Sequence, residues 1–79
     1  MYNTFTGGYF MTIDNVKPKL GKILKERGIT QMELSHMSGV TQGSISRFDL
    51  NSRHQASHLF SIASALDLKI EDLFEYTED

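Results

Sequence analysis

The segment from Thr30 to Arg47 contains two helix starts separated by a single glycine, Gly39. Threonine is a favoured residue just before a helix, because its hydroxyl can accept a hydrogen bond from a free amide of the first turn. Thr30 is followed three residues later by Glu33, which completes a capping box, and Thr41 begins the second pattern. Gly39 lies where a left-handed backbone is needed. The segment therefore predicts two short helices that meet at a sharp corner.

The length of 79 residues corresponds to one domain. An all-helical chain of this size needs most of its apolar side chains in one core or a partner that covers the rest, so size alone is compatible with a dimer. The absence of cysteine excludes disulfides and cysteine-based metal sites, and it fits a reducing cytoplasm. The N-terminus lacks the pattern of a secretory signal, and no apolar window is long enough to span a membrane.

Charge is segregated along the chain, although the formal total is only −2. Residues 15–58 carry seven lysines and arginines against three acidic residues, a net charge of +4. Residues 59–79 carry one lysine against six acidic residues, a net charge of −5. Charges often cover solvated faces without a further role, but this division favours a cationic face for phosphate and an acidic end that repels it.

Residues 1–14 are interpreted as an irregular or disordered N-terminal arm, ahead of one domain at residues 15–79. The arm contains Gly7-Gly8 and three interleaved aromatic residues without a helical or alternating period. Three roles stay open for it: a disordered terminus, a short strand at a subunit contact, or an extension before a core that starts near Met11.

Five helices and no strand are predicted, at residues 17–28, 31–38, 42–50, from between 55 and 58 to 66, and 70–76. Pro18 suits the first turn of helix one, and Asn51 tolerates the left-handed backbone that would close helix three. Apolar residues at helical spacing predict the core: Leu20, Ile23, Leu24, Leu34, Ile45, Phe48, Leu59, Ile62, Ala63 and Leu66.

The residues of the corner and of the last two helices together resemble the Cro and lambdoid repressor family, also called Xre-type. The matching segments are Gly28-Ile29-Thr30-Gln31, Gly39-Val40-Thr41-Gln42, Ser44-Ile45-Ser46-Arg47-Phe48, Ile62-Ala63-Ser64-Ala65-Leu66 and Glu71-Asp72-Leu73-Phe74. The spacing between segments is also kept, over about residues 17–76. The resemblance implies an all-α, compact five-helix lambda-repressor-like domain whose helix-turn-helix binds double-stranded DNA.

The start of helix three is the predicted base-reading edge, since in this motif the second helix enters the major groove with its first residues at base edges. Gln42 can offer a donor and an acceptor to adenine, and Arg47 can offer two donors to guanine. Arg47 could instead reach a phosphate or pair with Asp49. The predicted base-contacting residues are Thr41, Gln42, Gly43, Ser44, Ser46 and Arg47.

Phosphate contacts are predicted at the start of helix two and in the loop after helix three. Gln31 resembles a family glutamine that contacts a phosphate and supports the start of helix three, and Arg53 matches a basic loop that follows the DNA backbone. Free amides at the helix starts would add anion contacts. The predicted phosphate-contacting residues are Thr30, Gln31, Asn51, Ser52 and Arg53.

The chain also departs from the family pattern. The family often pairs an arginine in helix one with a glutamate late in helix three, and these positions are Leu24 and Asp49 here, so the buried ion pair is expected to be absent. The usual alanine of helix two is Ser35, and a proline expected after helix three is replaced by Ala56.

Surplus apolar side chains predict a homodimer through Phe60, Ile70, Phe74 and Tyr76, although Phe74 could equally close its own core. The resemblance and these residues predict a sequence-specific transcriptional regulator, specifically a repressor that binds a near-palindromic operator. We expect a bacterial or phage-encoded protein that acts in the cytoplasm at the nucleoid. An alternative is an antitoxin or co-regulator that uses the same fold to bind a protein partner controlling activity.

Other classes of site find little support in the sequence. His54 and His58 stand four residues apart, but no third residue is suitably placed to complete a zinc site. No serine lies in a nucleophile elbow, and no catalytic triad spacing is present. Neither an enzyme nor a cofactor is therefore expected.

Overall fold

A computed structural model describes residues 16–76 of the chain. Its elements in order are β1 (Val16–Pro18), α1 (Leu20–Arg27), α2 (Gln31–Ser38), α3 (Gln42–Arg47), a 3-10 turn (Phe48–Leu50), α4 (Ala56–Ala65), a second 3-10 turn (Ile70–Leu73) and β2 (Phe74–Tyr76). The predicted arm at residues 1–14 lies outside the described residues. No helix within the described part has the length and apolar content needed to cross a bilayer.

One hydrophobic core joins all four helices. Leu34 of α2 and Ile62 of α4 are completely buried at its centre, together with Leu73 of the second 3-10 turn. The buried residues are Leu20, Ile23, Leu24, Leu34, Val40, Ile45, Phe48, Ile62, Ala63, Leu66 and Leu73. Leu59, by contrast, is only half-buried at the edge of this core. Because the core lies on one side of α2 and α3, the polar residues at the start of α3 are left on the surface.

The predicted capping box at the start of α2 is confirmed. Thr30 Oγ1 accepts a hydrogen bond from the Glu33 amide at 3.0 Å, and Glu33 Oε1 accepts one from the Thr30 amide at 2.8 Å. Gly28 and Gly39 end α1 and α2 with left-handed backbones, at φ values of 67° and 76°. A side chain is strained in this conformation, so glycine suits both positions.

The prediction of a mostly helical compact domain is confirmed, but its five helices and its lack of strands are not, because residues 16–76 form four α-helices and a two-stranded antiparallel sheet. β1 pairs with β2 in the register Val16 with Tyr76, Lys17 with Glu75 and Pro18 with Phe74. Pro18 therefore lies in an edge strand, where its missing amide is tolerated, and not in a helix. The predicted fifth helix is a short 3-10 turn, since the chain after Leu73 extends to pair with β1.

Helix α3 is also shorter than predicted, and Asn51 does not adopt a left-handed backbone. The helix gives way to a 3-10 turn at Phe48, and Asn51 is extended, with φ −92° and ψ 145°. The Phe48 carbonyl oxygen accepts a hydrogen bond from the Asn51 amide at 3.4 Å and lies 2.8 Å from His54 Nε2. It is therefore satisfied without a left-handed cap at this end.

Asp49 stands at the position where the family often has the glutamate of a buried ion pair, and its carboxylate has other partners here. Its two carboxylate oxygens accept hydrogen bonds from the backbone amides of Leu20 and Gly21, each at 2.8 Å. Lys19, just before α1, makes no side-chain cap. The end of the α3 segment therefore caps the start of α1. At the other end of α1, the Arg27 guanidinium donates to the Leu66 carbonyl at 2.6 Å, which joins α1 to the end of α4.

Candidate nucleic-acid interface

The corner between α2 and α3 is fixed by two serine hydroxyls. Ser35 Oγ donates to the Val40 carbonyl at 2.6 Å, and Ser38 Oγ donates to the Leu34 carbonyl at 2.7 Å. The Val40 amide donates back to Ser38 Oγ at 3.2 Å. The sequence singled out Ser35 only for its small size, but a hydroxyl near a glycine turn was a signal for this bond. These contacts set the angle at which α3 leaves α2.

Thr41 and Ser44 form the start of α3 as a linked pair. Thr41 Oγ1 accepts a hydrogen bond from the Ser44 amide at 3.3 Å and donates one to Ser44 Oγ at 3.0 Å. Thr41 therefore acts as the predicted helix cap. Ser44 Oγ accepts from Thr41, so its own hydrogen stays available to an external acceptor. Ser44 is half-buried, which suits a contact at the floor of an interface better than at its rim.

Gln42 and Arg47 are the long polar side chains that α3 exposes. The Arg47 guanidinium turns back toward the first turn, and its terminal nitrogens lie 3.5 Å from the point where a Cβ would stand on Gly43. Gly43 thus leaves open the space beside the guanidinium. Ser46 is exposed, and its hydroxyl donates to the Gly43 carbonyl at 3.0 Å. The structure therefore brings Arg47 next to the N-terminal end of the helix, where base reading was predicted.

The structure favours two of the three roles considered for Arg47. Pairing with Asp49 would require a carboxylate that instead accepts from two amides of α1. The guanidinium lies beside Gly43. Contact of Arg47 with a base or a phosphate stays a prediction.

The predicted phosphate-contacting residues lie in two separate places. Gln31 is exposed in the first turn of α2, directly after Thr30, whose hydroxyl is engaged in the capping box. Asn51, Ser52 and Arg53 are exposed in the loop between the first 3-10 turn and α4. α2 and α3 pack against each other, so the start of α2 and this loop belong to two ends of the helix-turn-helix unit.

A cleft of about 210 Å³ lies between α3, the loop and the start of α4. Four basic or titratable residues line it: Arg47, Arg53, His54 and His58. From the sequence, the two histidines are interpreted only as possible zinc ligands. Within residues 16–76, no three histidine, cysteine or acidic side chains are grouped to hold a metal ion. The sequence did indicate that both histidines lie near another basic residue, because they follow closely on Arg53.

The predicted dimer residues divide into two kinds. Phe60 is 66% exposed and Tyr76 is 43% exposed, whereas Ile70 and Phe74 are half-buried. Phe74 packs against its own core, with its ring centroid 6.0 Å from that of Phe48. Phe60 and Ile70 border a shallow apolar groove of about 340 Å³ between α4 and the second 3-10 turn.

Comparison with known proteins agrees with this geometry. A family model described as the Cro/C1-type HTH DNA-binding domain matches residues 19–79. No curated protein and no solved structure matches the chain. The matched range contains the capped corner, the exposed start of α3 and the basic loop. The chain therefore belongs to the Cro/C1-type helix-turn-helix family, and DNA is the partner to which that family's domain binds.

Proposed function

We propose that this protein is a transcriptional repressor that binds a near-palindromic DNA operator as a homodimer, with α3 of each subunit in the major groove. The proposal rests on the start of α3. Thr41 caps the helix there, Gly43 and Ser44 are small, and the long side chains of Gln42 and Arg47 are exposed to solvent. A major groove about 12 Å wide accepts one helix in this orientation. The repressor acts by occupying DNA that a promoter needs.

Base recognition is assigned to the exposed side of α3. Gln42 can pair with the adenine edge and Arg47 with the guanine edge, and each good pairing contributes about 1 to 3 kcal/mol of discrimination. Ser44 and Ser46 are short, so they reach bases through water or directly at the closest approach. Gly43 keeps the helix surface low between Gln42 and the Arg47 guanidinium.

Phosphate contacts on both sides of α3 fix how deeply and at what angle the helix enters the groove. Gln31 and the amides at the start of α2 form one contact, and Arg53 with its neighbours Asn51 and Ser52 forms the other. These contacts strengthen binding to any sequence. They account for affinity and its salt dependence, whereas α3 accounts for selectivity.

The dimer is assigned to the apolar side of α4. Phe60 is the most exposed aromatic side chain of the described residues, and the groove beside it offers an apolar surface for the same residue of a second copy. A two-fold axis would place the two α3 helices about 34 Å apart, the distance of one DNA turn. The operator is then a near-palindrome with half-sites about 10 base pairs apart.

Selection of bound duplexes from a random pool tests the proposal, followed by affinity measurements on the selected duplex at two salt concentrations. We expect a near-palindromic consensus and tighter binding at low salt. A scrambled duplex of the same composition serves as the control. Equal affinity for both duplexes, or no binding to either, would exclude a sequence-specific regulator.

The exposed groove also supports a second candidate, an antitoxin or co-regulator that binds a protein partner. Phe60 and Ile70 would then contact that partner, while the acidic residues of the same half of the chain would favour a basic one. The two candidates differ in the selection experiment, because a protein-interaction module without DNA selectivity yields no consensus.

A further inference from the structure

Gly43 lies in the first turn of α3, where its own backbone gives no reason for glycine. Gly28 and Gly39 have left-handed backbones that favour glycine, whereas Gly43 does not. Glycine inside a helix is less favourable than alanine, because it loses more conformational freedom on folding. What Gly43 contributes to α3 is therefore the open space above its Cα.

The side chain of Arg47 occupies this space. Gly43 and Arg47 are four residues apart and lie on the same face of the helix, where long side chains point back toward the N-terminus. Both terminal nitrogens of the guanidinium lie 3.5 Å from the point where a Cβ would stand on Gly43, and the central carbon lies 3.9 Å from it. Four residues of helix rise about 6 Å. The guanidinium is therefore level with the first turn of α3, close to the position of Gln42.

The charges around Arg47 favour this folded-back position. The carboxylate of Asp49 accepts hydrogen bonds from the amides of Leu20 and Gly21, so it is not available to draw the guanidinium toward the end of the helix. Arg47 also borders the cleft that Arg53 lines from the following loop, and two like charges disfavour a turn of Arg47 into that cleft. The first turn of α3 is therefore the favourable place for the guanidinium.

We propose that Gly43 is a specificity-determining residue that acts through Arg47, by leaving room for the guanidinium beside the first turn of α3. This inference rests on the proposed DNA-binding function. Base pairs are about 3.4 Å apart along the duplex, so the rise of about 6 Å between residues 43 and 47 corresponds to about two base pairs. Arg47 therefore reads a guanine within about two base pairs of the adenine that Gln42 reads, and a larger residue at position 43 displaces it from that guanine.

The test compares Gly43→Ala with Gly43→Leu on the duplex selected by the wild-type protein. The Cβ of alanine fits, because 3.5 Å is an ordinary van der Waals distance, so Gly43→Ala should keep the preference for guanine. The branched side chain of leucine needs the volume that the guanidinium fills. Gly43→Leu should lose about tenfold of the preference at that base pair, which is within the discrimination expected of one arginine–guanine pair. The preference for the adenine read by Gln42 should stay.

The same leucine substitution in an Arg47→Ala background separates displacement of the guanidinium from a direct clash with DNA. Gly43→Leu should weaken binding to the selected duplex about tenfold when Arg47 is present and hardly at all when it is absent, because no guanidinium is then left to displace. Equal losses in both backgrounds would overturn the inference, since leucine would then act on the DNA or on the fold directly. Leucine favours helices, and circular dichroism checks that each variant is folded.

NMR of the free protein tests the position of the guanidinium without DNA. Nuclear Overhauser contacts between the Arg47 side chain and the Gly43 Hα protons are expected in wild type. Their absence from a protein that binds DNA selectively would overturn the inference and leave the proposed function intact. Retention of the full guanine preference in Gly43→Leu would do the same. Absence of selective binding by the wild-type protein would instead overturn the proposed function.

Discussion

Asp49, in the 3-10 turn that follows α3, accepts a hydrogen bond from the backbone amide of Leu20 at 2.8 Å. Its second oxygen accepts from Gly21 at the same distance. One carboxylate thereby satisfies two of the free amides at the start of α1, and its negative charge lies at the positive end of that helix. The contact also ties the position of the α3 segment to α1. The bond therefore joins the end of the α3 segment to the start of α1.

Asp49→Ala should lower the free energy of unfolding by about 1 to 2 kcal/mol, because it removes the cap of α1 and leaves both amides without a protein acceptor. Asp49→Asn keeps one acceptor oxygen and should lose less. Urea denaturation followed by circular dichroism measures both. Glu26→Ala, an exposed substitution on α1, is the control and should change stability by less than about 0.5 kcal/mol. Equal stability of Asp49→Ala and wild type would contradict the capping role.

The serine bond across the corner gives a second prediction. Ser35→Ala removes the donor to the Val40 carbonyl and should cost about 1 kcal/mol of stability. Because this bond fixes the angle between α2 and α3, backbone amides around Val40 should also exchange hydrogen faster than in wild type. Hydrogen exchange read by NMR measures the second effect. Ser57→Ala, exposed on α4, should change neither quantity. Unchanged exchange around Val40 would show that the Ser35 hydroxyl is not needed to hold the corner.

The division between reading and positioning residues predicts two different DNA-binding defects. Gln42→Ala should relax preference at one base position of each half-site and leave the salt dependence unchanged. Arg53→Ala should weaken binding to all sequences alike and reduce the slope of log affinity against log salt by about 1. Competition assays with single-base operator variants, repeated at several salt concentrations, separate the two. Identical defects in both variants would refute the division.

The helix-turn-helix corner could be predicted from the sequence because its determinants are local. Thr30 and Glu33 are three residues apart, and Gly39 needs only its own backbone conformation to end α2. The matched residues and their spacing then indicated the family, which the family model confirms. The identity of the base-contacting and phosphate-contacting residues stays a prediction.

The parts that the sequence did not predict all depend on contacts between distant residues. β1 and β2 are three residues each and lie at opposite ends of the described chain, so neither carries enough alternation to indicate a strand. Pro18 was interpreted as a helix start because that is its usual local meaning. The sequence connects Asp49 with a missing ion pair or with Arg47, whereas its partners are the amides of Leu20 and Gly21 in α1. The bond between His54 Nε2 and the Phe48 carbonyl likewise joins the end of α3 to the following loop, and helix propensity alone could not indicate it.

The exposed aromatic ring of Phe60 on α4 leads to a prediction that tests the proposed dimer. Phe60→Glu should shift the protein toward a monomer, because a charge would replace the side chain that is 66% exposed beside the apolar groove. Sedimentation analysis measures the oligomeric state without DNA. Met37→Gln, which changes another exposed apolar side chain on α2, is the control and should leave the dimer intact.

The same variant should lose affinity for the complete operator but keep its affinity for an isolated half-site. The reason is that a monomer makes only one set of contacts, whereas linked half-sites benefit from a high effective concentration of the second subunit. The ratio of the two affinities separates loss of dimerisation from loss of folding, since an unfolded variant would bind neither duplex. A Phe60→Glu protein that remains a dimer would remove α4 from the interface and direct attention to Tyr76 on β2.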